Sequence, residues 1–259
     1  MKKILVSIIT VFALLTSASA QEAMTRQGYK AQDFTSLNIS HAFDVELVKG
    51  DRYSVTLEFP SDCAQYISVA KQGGTLFVGL KNKTPRKFLT GRHTFRATIK
   101  MPEVYGIYLS GAAKLTTEDM FLMNMRPLEI RLSGASRLSK IAVDGPSVEL
   151  DLSGASKAEI NLNAAEVDAK VNGASKLTLT GTVDELSLDL SGASSVNAKN
   201  VNAAKADVEC SGASKAYIYV EQRLKVNLSG ASKCEYIAAE GVDLRVDSVT
   251  GASTLKRVQ

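Results

Sequence analysis

No tryptophan occurs in the 259 residues, and aromatic residues make up only 6% of them. A core built around large rings is thereby excluded, and many small, regular layers are the expected alternative. Histidine is confined to His41 and His93, and no CxxC or Cys/His cluster offers the spacing of a metal centre. An excess of one charge is missing as well: taking Lys2 and Lys3 out of the 31 basic residues leaves 29 against 27 acidic ones. Such a balance provides no global field for nucleic acid. Beyond the N-terminal segment no stretch is apolar enough to span a bilayer, so no transmembrane segment is expected. Phosphate loops, nucleophile elbows and zinc signatures are absent too, and neither a metal nor a cofactor is expected.

The N-terminal segment itself reads as a cleaved signal peptide over residues 1–20. Lys2 and Lys3 supply the charged start, residues 4–15 the apolar core, and Ala18, Ser19 and Ala20 the small residues before a cut at Gln21. No cysteine follows that cut, which argues against a lipid anchor. Cys63, Cys210 and Cys234 are an odd number for an exported protein, so at least one thiol lacks an intramolecular partner. All three read as small buried hydrophobes, with a Cys210–Cys234 bridge left open.

What the sequence does contain is one phrase written eight times, as in "ELDLSGASKAEINL" (149–162). Its glycines are Gly111, Gly134, Gly154, Gly173, Gly192, Gly212, Gly230 and Gly251, separated by 23, 20, 19, 19, 20, 18 and 21 residues. A period near twenty is the mark of a solenoid, whose repeats bury their apolar faces only against one another. Two residues before each glycine, and four after it, every position is apolar, from Leu109 to Val249 and from Leu115 to Leu255. Around these columns the pattern alternates with period two, which specifies strands rather than helices. The expected fold is therefore all-β: a right-handed parallel β-helix of about eight coils over residues 105–259. Right-handedness is expected because the coils vary from 18 to 23 residues, whereas left-handed β-helices keep a strict hexapeptide period.

Each phrase then marks a corner. Glycine reaches backbone angles closed to other residues, and coils stacked about 4.8 Å apart leave little room for bulk. The serines beside it form columns able to bond from coil to coil.

Residues 21–104 read differently, as an antiparallel β segment covering the first coil. Residues 44–59, "DVELVKGDRYSVTLEF", and 66–80, "YISVAKQGGTLFVGL", each have the pattern of a hairpin around a glycine turn.

The exported N-terminus, "FDVELVKGD", "GGTLFVGL" and the recurrent "LSGAS" together resemble the head-GIN-domain family. That family is labelled autotransporter adhesin and is similar to β-helical envelope proteins of Gram-negative bacteria. The resemblance covers nearly the whole chain after residue 20. It implies an exported envelope protein with an adhesin-like role, located in the periplasm, at the outer-membrane surface or outside the cell; it brings no catalytic residues.

Catalysis on a β-helix requires clustered carboxylates or acidic calcium ligands. Here acids are scattered. Asp151, Asp189 and Glu209 share the column three before the glycine with Arg131 and Lys170, which suits a charge-balanced face. Two basic features are the candidate binding sites. The first is the column three after the glycine: Lys114, Arg137, Lys157, Lys176, Lys215 and Lys233, with Ser195 and Thr254 completing it. Asp151, Asp189 and Glu209 are expected to offset the cations of their own coils, leaving Arg137 and Lys176 the most positive. The second is residues 81–96, with Lys81, Lys83, Arg86, Lys87, Arg92 and Arg96 and no acid. The preferred expectation is a non-enzymatic binding module for an acidic glycan, lipopolysaccharide or another envelope protein. An envelope scaffold working through the solenoid ends and a polysaccharide-active enzyme are the alternatives. Nothing in the sequence fixes an oligomeric state.

Overall fold

The computed structural model describes Ile4–Leu5, Ile8–Phe12 and residues 23–90, 93–123 and 126–259. The expected signal peptide falls largely outside the described residues. Its two described pieces are short strands, Ile4–Leu5 antiparallel to Ile67–Gln72 and Ile8–Phe12 antiparallel to Met24–Tyr29.

From Gly106 onward the chain winds as a parallel β-solenoid. Gly106–Leu109 and Lys114–Thr116 stack on Leu128–Leu132 and Arg137–Leu152. Lys157–Val171, Lys176–Leu190, Ser195–Cys210 and Lys215–Leu228 come next, in parallel register. Lys233–Ala238, Asp243–Val249 and Thr254–Arg257 complete the stack. The two apolar columns form its interior: Leu132, Leu152, Val171, Leu190 and Leu228 on one side of the corner, Leu138, Ala158, Leu177 and Val196 on the other, all buried.

The corner explains the phrase. All eight corner glycines have φ between +69° and +75°, a region that costs other residues strain. There is no space for a side chain either: a Cβ on Gly173 would lie 2.6 Å from the Gly154 carbonyl oxygen of the coil beneath. Main-chain bonds tie each corner to the one beneath it. Asn172 N–H donates to Leu152 O at 2.8 Å, Ala174 N–H to Gly154 O at 2.7 Å and Lys176 N–H to Ser156 O at 2.9 Å. The serine two residues after the glycine turns inward, where Ser136, Ser156, Ser175, Ser194, Ser214 and Ser232 form a buried hydroxyl column. Ser156 Oγ lies 3.2 Å from Ser175 Oγ, and Ser232 Oγ donates to Cys210 O at 3.3 Å.

Changes in coil length are absorbed elsewhere. The register shifts between Leu138 and Ile141, between Thr178 and Thr180, and between Ala198 and Ala203, all outside the corner.

At the N-terminal end the structure departs from the expected pair of hairpins. Residues 66–80 do form one, with Ile67–Gln72 antiparallel to Thr75–Leu80. Residues 44–59 do not. Phe95–Met101 inserts between their two strands, parallel to Phe43–Lys49 and antiparallel to Ser54–Pro60. Local alternation cannot reveal this, because the inserted strand comes from about fifty residues downstream. Ser36–Ile39 and Phe43–Lys49 also stack in parallel on Gly106–Leu109 and Lys114–Thr116. They form a further coil, whose corner is Ser40-His41-Ala42 in place of Ser110-Gly111-Ala112. His41 takes the glycine position with φ +66°, and its carbonyl accepts the Ala112 N–H at 2.7 Å. The antiparallel cover lies beyond this coil.

All three cysteines are buried, and Cys210 and Cys234 are not bridged to one another. Burial pushes the Cys210 thiol up to about 11 and the Cys234 thiol up to about 12, so neither is an available nucleophile near neutral pH.

Candidate functional site

The corner fixes the register of the strand that leaves it. Since each coil leaves the corner in the same geometry, the third residue after the glycine stands directly over its counterpart. The pairings run Lys114, Arg137, Lys157, Lys176, Ser195, Lys215, Lys233, Thr254 along one strand face. The inward turn of the preceding serine sends these side chains outward, and Lys114, Arg137, Lys157, Lys176 and Lys215 are exposed. Four consecutive cations, Lys114 to Lys176, thus span roughly 14 Å at about 4.8 Å per step. Neighbours at that spacing repel by about 1 kcal/mol in bulk-water dielectric, before salt screening.

Carboxylates do not relieve this ladder as they relieve the other wall. Among the described residues no carboxylate lies within ion-pair distance of Lys114, Arg137, Lys157, Lys176 or Lys215; only Lys233 is paired, to Glu235 at 2.5 Å. On the opposite wall Lys205 pairs with Glu185 at 2.8 Å, and Lys225 bridges Asp207 and Asp247 at 3.3 and 3.2 Å. The expected offset of the ladder by Asp151, Asp189 and Glu209 is not found, since they form no ion pair with it. They belong to a separate column across the corner, Tyr108, Arg131, Asp151, Lys170, Asp189, Glu209, where charge alternates in sign over most of its length. Arg137 and Lys176 are therefore no less paired than Lys114, Lys157 or Lys215.

Two different surfaces flank the ladder. On one side lies the exposed Gly-Ala corner, without bulky side chains. On the other, two residues farther along each strand, stand Thr116, Ser139, Thr178, Asn197 and Tyr217, hydroxyl and amide groups able to donate and accept hydrogen bonds. Glu159 interrupts this polar row beside Lys157.

The second basic candidate is divided by the structure. Lys81 Nζ donates to Gln65 O at 2.6 Å, and Lys83 is an exposed loop residue. Arg86 and Lys87 open the short helix Arg86–Thr90, where Lys87 lies 3.6 Å from Asp62 and 4.4 Å over the Phe88 ring. Arg92 lies outside the described residues. Arg96 is on Phe95–Met101, and its register partner is Asp44, itself the partner of Lys114. Arg96 therefore continues the first ladder, separated from it by a single acid. The sequence signal for this is the match of "ISHAFDV" to "LSGAAKL", concealed by histidine at the glycine position.

No group of three or more His, Cys, Asp or Glu side chains converges among the described residues. No helix among them is long and apolar enough to cross a membrane.

A parallel β-solenoid with an antiparallel cover and one unpaired cationic ladder defines the class of molecule. The chain belongs to the family described as "Putative auto-transporter adhesin, head GIN domain", whose profile matches residues 33–238. Solved structures share the fold. A "putative lipid binding protein" from Parabacteroides distasonis superposes with a TM-score of 0.81 at 17% identity, over 91% of this chain and 97% of that one. A "putative adhesin" from Parabacteroides merdae gives 0.80 at 16% identity, over 91% and 96%. A second P. distasonis protein, a "putative adhesin", gives 0.79 at 16% identity, over 91% and 97%. No curated protein matches the chain.

Proposed function

We propose that this chain is an exported, non-enzymatic, adhesin-like module of the cell envelope that holds an acidic glycan along its basic ladder. The observation that carries the reading is the contrast in pairing: Arg131, Lys140, Lys205 and Lys225 on other faces of the solenoid meet carboxylates, while Lys114, Arg137, Lys157, Lys176 and Lys215 stand exposed in one line without them. A linear polyanion running along the solenoid axis would neutralise several steps at once. The hydroxyl and amide row beside the ladder would meet sugar hydroxyls. The corner, bare of bulky side chains, leaves room for the chain to lie close. Each contact is weak, so affinity comes from multivalency and falls as salt rises. The family's adhesin description supports this reading. The lipid-binding name of one structural neighbour makes lipopolysaccharide phosphates the competing anion.

The test is a salt titration of wild type and R137A/K157A/K176A against acidic glycans, neutral glycans and lipopolysaccharide. The expected result is wild-type binding to acidic glycans at low salt, weaker at physiological salt and lost in the variant. Equal binding by both proteins, or none at low salt, would remove the ladder from the function.

A further inference from the structure

The two ends of the solenoid are finished differently. At the N-terminal end Ser54–Pro60 covers Phe95–Met101 in antiparallel fashion. At the other end Asp243–Val249 pairs with Lys215–Leu228, and Thr254–Arg257 with Lys233–Ala238. Among the described residues no strand pairs with the outer edge of either. Core positions are left open as a result: Leu244 is 40% exposed, Val246 46% and Val249 43%, whereas Leu224, Val226 and Leu228, one coil beneath, are fully buried. An open strand edge backed by apolar side chains is a template for another strand.

We propose that this edge joins two copies of the chain end to end, their Asp243–Val249 strands antiparallel about a two-fold axis at Leu244. The sequence of the edge is self-complementary in that register and not in those beside it. With the axis at Leu244, each Leu244 faces the other, Val242 faces Val246, and Asp243 faces the second copy's Arg245 in both directions. Apolar residues then meet on the inner face and opposite charges on the outer face, as cross-strand pairs require. With the axis at Arg245, arginine opposes arginine and Asp243 opposes Asp247. With the axis at Asp243, aspartate opposes aspartate. A shift that puts the axis between residues sets apolar side chains against polar ones.

Other features fit the same geometry. Asp243 and Arg245 already lie 3.0 Å apart on the outer face, so joining two copies makes an alternating cluster of four charges. The register break between Val226 and Asn227 puts a bulge at Asp247, which ends the regular edge just beyond the paired segment. No proline or inward-pointing charge blocks residues 242–246. A two-fold contact uses the same patch on both copies and closes at two.

The test is sedimentation velocity on the purified chain, from micromolar to hundreds of micromolar, with circular dichroism confirming the fold of each variant. Wild type is expected to reach twice the monomer mass. R245D, which sets acid against acid, and L244K, which puts two cations on the axis, are expected to remain monomers with unchanged spectra. The charge exchange D243R/R245D keeps opposite charges facing and is expected to restore the dimer. A monomer at every concentration, masses growing beyond two copies, or a dimer that survives R245D would each overturn the proposal. So would a folded charge-exchange variant that stays monomeric.

Discussion

Every coil turns twice, and the two turns are written in different ways. At one corner the chain places glycine then alanine eight times. At the far bend it places Pro146, Ala165, Asp184 and Ala204, each skipped by the coil-to-coil pairing of its neighbours. The far bend has no positive-φ residue among these and no common residue type. It needs none. A residue skipped by the pairing contributes no bridge to the ladder, so proline, which lacks an N–H, fits there. At the corner, glycine backbones stack in direct contact, and alternate N–H groups, as at Asn172, Ala174 and Lys176, are committed to the coil beneath. Repetition of sequence thus results from absence of slack in the backbone. It is not by itself a sign of chemistry, and the serines two residues after the glycine, from Ser136 to Ser232, are core residues.

The largest effect should come from a side chain forced into the corner. G173V combines positive φ with a β-branched side chain whose Cβ meets the Gly154 carbonyl oxygen. It should cost roughly 3 kcal/mol or more, against less than about 0.5 kcal/mol for A165V at the far bend. Thermal or urea unfolding measures both, and equal losses would erase the distinction between the two turns.

A smaller effect separates residues within the corner itself. Ser175 Oγ has a hydrogen-bonding neighbour in Ser156, whereas Ser194 Oγ has no partner among the described residues. S175A should therefore cost about 1 kcal/mol, and S194A should leave stability unchanged or raised. Matching losses would show that the hydroxyl column acts as a continuous chain of bonds.

The corner that carries histidine adds a pH dependence that the glycine corners lack. His41 Nδ1 accepts the Leu80 N–H at 3.3 Å and lies 2.8 Å from Ser40 Oγ. Burial holds its pKa below the ordinary 6.5. As pH falls through the ordinary histidine range the unfolded chain takes up its proton first, so stability falls with it. H41N tolerates positive φ but cannot titrate, and it should show a shallower loss of melting temperature with acid than wild type. Identical pH profiles would place the acid sensitivity elsewhere.

Much of this architecture is legible in the sequence because the corner dictates residue type. The glycine and apolar columns locate the coils, their strands and their buried face without any long-range information. The additional coil at residues 36–49 is not legible in the same way. His41 adopts the glycine angle with a different residue, and the strand that separates Phe43–Lys49 from Ser54–Pro60 arrives from residues 95–101. The basic ladder is visible as a column, but its extension to Arg96 through Asp44 depends on that distant strand. The lack of ion pairs from Asp151, Asp189 and Glu209 cannot be read from spacing either, since the corner sends the two columns to separate faces.

In the proposed function the corner acts through register, by stacking cations into one line. This central claim is tested most directly by moving charges without changing their number. R137S/S139R together with K176T/T178K transfers two cations two residues along the same strand face, out of the ladder and into the polar row. Binding to an acidic glycan at low salt, measured alongside the melting temperature, decides the matter. Markedly weaker binding with little change in stability is the predicted result. Undiminished binding would contradict the claim, because net charge, and not its alignment by the Gly-Ala corner, would then be what the ligand reads.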